Sequence, residues 1–282
     1  MEAPEAVRAN PFVPYLATVK EITDLTPDVK LFSIELNDEA ARKSFDYKPG
    51  QFAFLSAFGV GESAFGLTSV AYRNSGIEFA IRRVGTVSSA LHELEPGATV
   101  GVRGPYGNFF PMDEYKGKNI VIIGGGIGMA PLRPVIDTII DHRDDFGNLT
   151  IINGARTPRD LVFASEFEAW SEAKDTNVVL TVDAGDDSWT GRVALIPAVV
   201  KELKPSHHNA VAITCGPPIM IRFTLAALKE LGFSNEQIVT TLEGKMKCGM
   251  GKCGRCNVGE KYVCVDGPVF NFAQISKFIE QF

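Results

Sequence analysis

At 282 residues, 45% of them hydrophobic, the chain has room for two ordinary domains and a small module. A formal charge of −6 argues against a general nucleic-acid binder, which would usually be basic. No run approaches the ~18 apolar residues of a membrane span. The stretch Met1 to Asn10 has no apolar signal core, so direct membrane insertion is not expected and a cytoplasmic location is.

The first ~110 residues read as all-β. Candidate strands are Tyr15–Ile22, Val29–Leu36, Gln51–Ser56, Ile77–Arg83 and Ala98–Val102. Turn signals separate them at Thr26-Pro27-Asp28, Lys48-Pro49-Gly50, Asn74-Ser75-Gly76 and Glu95-Pro96-Gly97. That regular spacing predicts a small barrel or sandwich, with a short helix at Ser88–Glu93. Gly85-Thr86-Val87-Ser88 offers N–H groups and hydroxyls at the start of that helix, suited to a phosphate. A hairpin glycine and a plain helix cap would look the same.

Past Lys116-Gly117-Lys118 the pattern changes. Apolar strands at Asn119–Ile123, Leu149–Ile152, Val178–Val182, Ala210–Thr214 and Ile238–Leu242 alternate with amphipathic helices. One helix carries Leu132, Val135, Ile136, Ile139 and Ile140; another spans Pro217–Leu231 and ends at Gly232. The pattern predicts a doubly wound parallel sheet with helices on both faces. Gly124-Gly125-Gly126-Ile127-Gly128-Met129-Ala130 follows the first of these strands and opens a helix. Free N–H groups at the positive end of a helix dipole make that turn a pyrophosphate site. Ligands in such sheets bind beyond the carboxyl ends of the strands, where Cys215-Gly216-Pro217 and Asp183 also fall. Cys215 reads as a contact or positioning group, since no base is identifiable beside it; a buried inert thiol is the plainer alternative. Arg156 and Arg159 follow the second strand, where a 2′-phosphate could be held, so NADH and NADPH are not separated. The four histidines, His92, His142, His207 and His208, show no metal-ligand spacing and read as surface residues.

The last forty residues hold Cys248, Cys253, Cys256 and Cys264, spaced C-x₄-C-x₂-C-x₇-C among glycines. The first three reproduce the plant-type ferredoxin run for a [2Fe–2S] cluster. The fourth comes much sooner than in those ferredoxins. Zinc usually takes two short Cys pairs, and a chain of this size needs no disulfide staples.

Together these segments resemble the ferredoxin–NADP reductase superfamily. Within it the chain is similar to the cluster-bearing electron-transfer subunits: gamma subunits of soluble NiFe hydrogenases of the sulfhydrogenase type, the B subunit of anaerobic sulfite reductase and, more distantly, the electron-transfer subunit of dihydroorotate dehydrogenase B. The matching stretches include Asn10-Pro11-Phe12-Val13-Pro14, Ile81 to Ser88, Gly104-Pro105-Tyr106-Gly107, the glycine turn, Asn153 to Pro158, Cys215-Gly216-Pro217-Pro218 and Met246 to Phe270. The resemblance implies a Greek-key FAD-binding barrel at 1–114, an NAD(P)-binding domain at 115–242 and a [2Fe–2S] module at 243–282. It also implies a flavin site in which Phe65-Gly66-Leu67-Thr68-Ser69 stands where such reductases carry Arg-x-Tyr-Ser; the arginine and tyrosine are absent. Thr68 and Ser69 are expected at the flavin edge, Thr68 with Cys215 at the reacting centre. Arg82 and Gly85–Ser88 are expected at the FAD phosphates. The implied activity is a diaphorase passing electrons between NAD(P)H, FAD and the cluster, and on to or from a catalytic partner of hydrogenase, sulfite reductase or heterodisulfide reductase type. A stand-alone flavin reductase and a non-enzymatic redox or metal sensor are the alternatives.

Overall fold

A computed structural model describes residues 10–73 and 76–279. The predicted turn at Asn74-Ser75 and the N-terminal stretch before Asn10 lie outside the described residues. The N-terminal domain is a six-stranded antiparallel sheet. Its strands are β1 Tyr15–Thr26, β2 Val29–Leu36, β3 Phe52–Ala57, β4 Gly61–Gly66, β5 Ile77–Arg82 and β6 Thr99–Tyr106. They are ordered β4-β3-β6-β1-β2-β5. The chain leaving β4 closes the sheet onto β5. The Thr68 N–H donates to the Glu78 carbonyl, and the Ala80 N–H donates to the Thr68 hydroxyl.

Strand alternation explains how β3 serves two cores. Ala53 and Leu55 point inward with Phe32, Ile34, Val100 and Val102, while Phe52 and Phe54 point outward against Cys256, Cys264 and Phe270. Phe52–Leu55 therefore reads as an unbroken apolar run because both faces are covered.

The second domain contains β7 Asn119–Gly125, β8 Leu149–Ala155, β9 Thr176–Val182, β10 Arg192–Val193, β11 Ala210–Cys215 and β12 Ile238–Thr241. The remaining strands, β13 Asn257–Val258, β14 Lys261–Tyr262 and β15 Val269–Asn271, belong to the C-terminal segment. The large sheet runs β10-β9-β8-β7-β11-β12-β15. All pairs are parallel except β12–β15, which is antiparallel. Ile120 and Ile122 face one core and Val121 and Ile123 the other, as two-sided burial requires. The predicted parallel sheet is found, with one antiparallel strand added at its edge. The C-terminal segment supplies that edge strand, so it docks on both domains rather than standing apart. Asn108, just past β6, fixes the same segment by accepting from the Val269 N–H and donating to the Asp266 and Val269 carbonyls.

The two large domains are joined by charge as well as packing. Arg133, at the start of the helix Arg133–Asp141, donates to Glu78 of β5, to Glu166 and to the Thr68 carbonyl. Arg73 of the barrel domain pairs with Asp141 and lies 3.2 Å from Asp137. Burial raises the Asp137 carboxyl to about 6, against the pull of Arg133 and Arg73. Its folded value thus lies above the ordinary carboxylate value, so ionising it costs the fold. That cost is absent below about pH 4, grows through the window up to about pH 6 and is complete above it. Asp137→Asn should accordingly be neutral at pH 4 and stabilise the protein above pH 6, by up to about 3 kcal/mol. Urea unfolding at the two pH values checks this; equal effects at both would contradict it.

His92 is a correction. It is buried, and its ring bonds the Ile81 carbonyl at 2.8 Å, so it is a core residue. Among the described residues no helix is long and apolar enough to cross a membrane.

Candidate functional site

Strand order reverses at β7, with β8 and β9 on one side and β11 and β12 on the other. Such a switch point opens a crevice at the carboxyl ends of the strands. Gly124 of β7 and Cys215 of β11 are register partners at that point. The glycine turn opens a single 3₁₀ turn, Gly126–Met129, and the α-helix begins at Arg133. Close approach explains Gly128: a Cβ there would lie 2.5 Å from the Cys215 carbonyl oxygen. Gly124 and Gly125 are crowded by Met129 and by Met220 with Pro217. Gly126 differs. Its φ is +54°, and a Cβ would meet nothing within 4 Å, so it faces open space. Beside this turn Asn153 of β8 is fully buried, and both its amide atoms lack a partner among the described residues. Orphaned polar atoms of this kind call for a ligand or water. A glycine cradle with open space above it fits a dinucleotide pyrophosphate.

Met129 and Ala130 have their side chains in the core, leaving only main chain for a ligand. Cys215 is 8% exposed and its sulfur lies 3.0 Å from the Thr241 hydroxyl. Burial, with Glu243 adding to it, pushes the thiol up to about 11. A neutral thiol is a poor nucleophile, which agrees with a contact role. Gly216 is half-buried and Pro217 exposed ahead of the helix Pro218–Glu230.

Across the crevice, Arg82 donates to Asp28 at 2.6 Å. Burial tends to raise the Asp28 carboxyl, but Arg82, Thr26 and the charge of Arg156 together hold it below the usual range. Arg156 also acts on Asp183, whose carboxyl is raised by partial burial against that attraction. The charge of Arg156, from the second domain, thus reaches both Asp28 of the barrel and Asp183 of its own domain. Arg159 is exposed nearby in sequence and acts on Asp186. Trp189 donates its ring N–H to the Arg192 carbonyl, a local packing role.

The barrel residues are more constrained than their sequence suggested. Thr68 is fully buried; its hydroxyl donates to the Gly66 carbonyl and accepts from Ala80. Ser69 is buried, bonded to the Tyr47 hydroxyl at 2.5 Å and to the Glu78 N–H. Both hydroxyls thus serve barrel closure. Ser88 uses its hydroxyl to accept from the Val84 and Gly85 N–H groups, while Gly85 and Thr86 are exposed and Val87 half-exposed. Gly66 lies close to Pro131, so the end of β4 meets the glycine turn.

In the C-terminal segment Cys248, Cys256 and Cys264 are buried and Cys253 is exposed. The Met250 and Cys253 N–H groups donate to the Cys248 sulfur at 3.5 and 3.4 Å, and the Gly251 N–H to the Cys264 sulfur at 3.2 Å. Cys248 and Cys253 act on one another, and Cys264 feels both Cys256 and Cys248. Burial opposes ionisation of Cys248, but the surrounding N–H donors and Cys253 outweigh it and bring the thiol down to about 6. Cys264 goes the other way, to about 12, through burial and Cys256. Among the described residues no three His, Cys, Asp or Glu side chains converge as ligands for one ion. Gly249 has φ +80°, and a Cβ there would lie 2.9 Å from the rings of Phe54 and Tyr106, so the loop sits tight on the barrel wall. Sequence reasoning missed two residues here, Arg103 and Asn108, which bind the segment to the barrel.

Three family models match the chain in series: an oxidoreductase FAD-binding domain over 16–110, an oxidoreductase NAD-binding domain over 122–226 and the iron–sulfur cluster binding domain of dihydroorotate dehydrogenase B over 243–276. Sulfhydrogenase 1 subunit gamma of Pyrococcus furiosus is 40% identical over 273 residues, covering 94% of this chain and 93% of that protein. A probable dihydroorotate dehydrogenase B (NAD(+)) electron transfer subunit of Methanocaldococcus jannaschii is 36% identical over 271 residues, covering 95% and 93%. Among solved structures, the ferredoxin reductase in carbazole 1,9a-dioxygenase superposes with a TM-score of 0.68 at 27% identity, covering 82% of this chain and 69% of that one. The NADH-dependent reduced ferredoxin-NADP oxidoreductase shares the fold, with a TM-score of 0.72 at 23% identity over 94% and 93% of the two chains. Fold and site thus define a ferredoxin-reductase-like oxidoreductase with FAD-binding, NAD-binding and iron–sulfur domains. The chain belongs to the family of electron-transfer subunits that contains the sulfhydrogenase gamma and dihydroorotate dehydrogenase B proteins.

Proposed function

We propose that the chain is a diaphorase subunit that binds NAD(P)H, FAD and a [2Fe–2S] cluster and exchanges electrons with the catalytic subunit of a cytoplasmic complex, of hydrogenase or dihydroorotate dehydrogenase kind. When bound, the nicotinamide supplies a hydride, and FAD and the cluster turn that electron pair into single-electron transfers. One observation carries the reading: the barrel wall touches both the glycine turn and the cysteine loop. Gly66 at the end of β4 meets Pro131 of the glycine turn, while Phe54 and Tyr106 meet the cysteine loop at Gly249.

The chain's own groups then have distinct tasks. Gly124, Gly125, Gly126 and Gly128, with the main chain of Met129 and Ala130, receive the nucleotide pyrophosphate. Cys215, Gly216 and Pro217 border the nicotinamide, with Arg156 and Asp183 at the outer mouth. Thr68 and Ser69 stand at the flavin edge, where they hold the barrel edge in shape. Arg82 and the Gly85–Ser88 turn face the FAD phosphates. Cys248, Cys253, Cys256 and Cys264 would hold the two-iron cluster, with the Met250, Cys253 and Gly251 N–H groups donating to the Cys248 and Cys264 sulfurs. Cys253, exposed while the other three are buried, is the ligand nearest a docked partner.

Anaerobically prepared protein should contain two irons and two sulfides per chain, give a rhombic EPR signal on reduction and release FAD on denaturation. Stoichiometric zinc without iron after reconstitution would sink the cluster assignment. Recovery of FMN alone would sink the flavin assignment.

A further inference from the structure

Arg103 of β6 heads the largest side chains that are fully buried among the described residues, at 1% exposure. A guanidinium is not removed from water without acceptors for its N–H groups. Here all five are used. One terminal nitrogen donates to the Cys248 carbonyl at 2.7 Å and to the Tyr106 hydroxyl at 3.0 Å. The other donates to the Lys247 carbonyl at 3.0 Å and to Glu62 at 2.7 Å, and Nε donates to the second Glu62 oxygen at 3.3 Å. The guanidinium carbon lies 4.2 Å from the centre of the Phe54 ring. The side chain therefore fills the seam between barrel wall and cysteine loop, and it holds the main chain of the first cluster cysteine itself.

We infer that Arg103 is a positioning residue for the iron–sulfur module, one that fixes the Lys247–Cys248 backbone and sets the cluster's reduction potential from the flavin-binding domain. Two arguments support this. The Cys248 carbonyl shares a rigid peptide plane with the Gly249 N–H, so holding one orients the other. Gly249 opens the turn whose next N–H, that of Met250, donates to the Cys248 sulfur. Hydrogen bonds to the sulfurs and nearby charge both tune such potentials. Reduction adds negative charge to a cluster, and a cation in the dry seam favours that state. Its counter-charge, Glu62, sits on β4 with a side chain 35% exposed, where solvent weakens its effect. The arginine and the glutamate should then move the potential in opposite directions. A clamp with only a packing role would not do this.

The inference rests on the iron–sulfur domain and not on the count of two irons. An EPR-monitored redox titration of the full chain tests it with Arg103→Gln, Arg103→Lys and Glu62→Gln. Arg103→Gln should lower the potential, Glu62→Gln should raise it, and Arg103→Lys, which keeps the charge but loses the fork, should lower it less than Arg103→Gln. Unchanged potentials, or shifts of one sign in Arg103→Gln and Glu62→Gln, would overturn the inference. If Arg103→Gln does not retain the cluster, the sign of the Glu62→Gln shift decides. Hydrogen exchange of the amides from Lys247 to Cys253 gives a readout that needs no cluster. Faster exchange in Arg103→Gln than in the parent supports the clamp, and equal exchange refutes it. Iron analysis of the parent protein separates failure of the cluster assignment from failure of this one.

Discussion

Gly126→Val should cut NAD(P)H-driven flavin reduction by about a hundredfold or more while the cysteine loop keeps its cluster. Misplacement of a bound reactant by about 1 Å is enough for a loss of that size. Nothing crowds the position from within the protein, since a Cβ there meets no atom within 4 Å. The open side of the turn is where the pyrophosphate is proposed to lie, and two methyl groups would occupy it. The φ of +54° adds a second cost, because a β-branched residue resists the left-handed region. Both effects stay local to the carboxyl end of β7. Gly128→Val would be a poorer test. A side chain there collides with the Cys215 backbone and endangers the fold itself. Stopped-flow absorbance of the flavin, with nucleotide affinity measured separately, checks the expectation. Near-normal reduction would remove the turn from the nucleotide site.

Cys264→Ser should have the complementary effect. Cys264 is 1% exposed on the short helix Val263–Asp266 and accepts a hydrogen bond from the Gly251 N–H, so it anchors one end of the loop. Serine cannot replace the thiolate ligand faithfully, and the cluster should be lost or strongly perturbed. The barrel core and the glycine turn contain no part of this segment. Reduction of the flavin by NAD(P)H should persist at roughly parental rate, while one-electron delivery to a partner or a one-electron acceptor protein should collapse. Loss of flavin reduction with the fold intact would show that the cluster segment is needed before the flavin.

Much of this arrangement was legible in the sequence because it follows from period and spacing. The strand at Val29–Leu36 is found at its predicted bounds, and the five apolar strands of the second domain all form. What escaped has physical reasons. Strand β4, Gly-Glu-Ser-Ala-Phe-Gly, has no alternation to read because it is a sheet edge with no buried residue. Strand β15 is only three residues long, too short for a period, and its pairing with β12 is set by tertiary docking. Thr68 was expected to offer its hydroxyl to the flavin, and the sequence could not reveal that Gly66 and Ala80 use it to close the barrel. Arg103 stands in a strand where any outward residue could be a solvated charge. Only the loop arriving from Lys247 and Cys248 makes it buried. The spacing of the four cysteines was plain, but the main-chain N–H groups that reach the Cys248 and Cys264 sulfurs are a property of the folded loop.

The central claim is the order in which the three elements act, with the barrel wall in contact with both nucleotide turn and cluster loop. Anaerobic stopped-flow mixing of the intact protein with NAD(P)H, followed at flavin and cluster wavelengths together, tests it most directly. Flavin bleaching should come first and cluster reduction second, with the second phase absent in Cys264→Ser and both phases suppressed in Gly126→Val. Cluster reduction that precedes flavin bleaching, or that survives in Gly126→Val at the parental rate, would contradict the account.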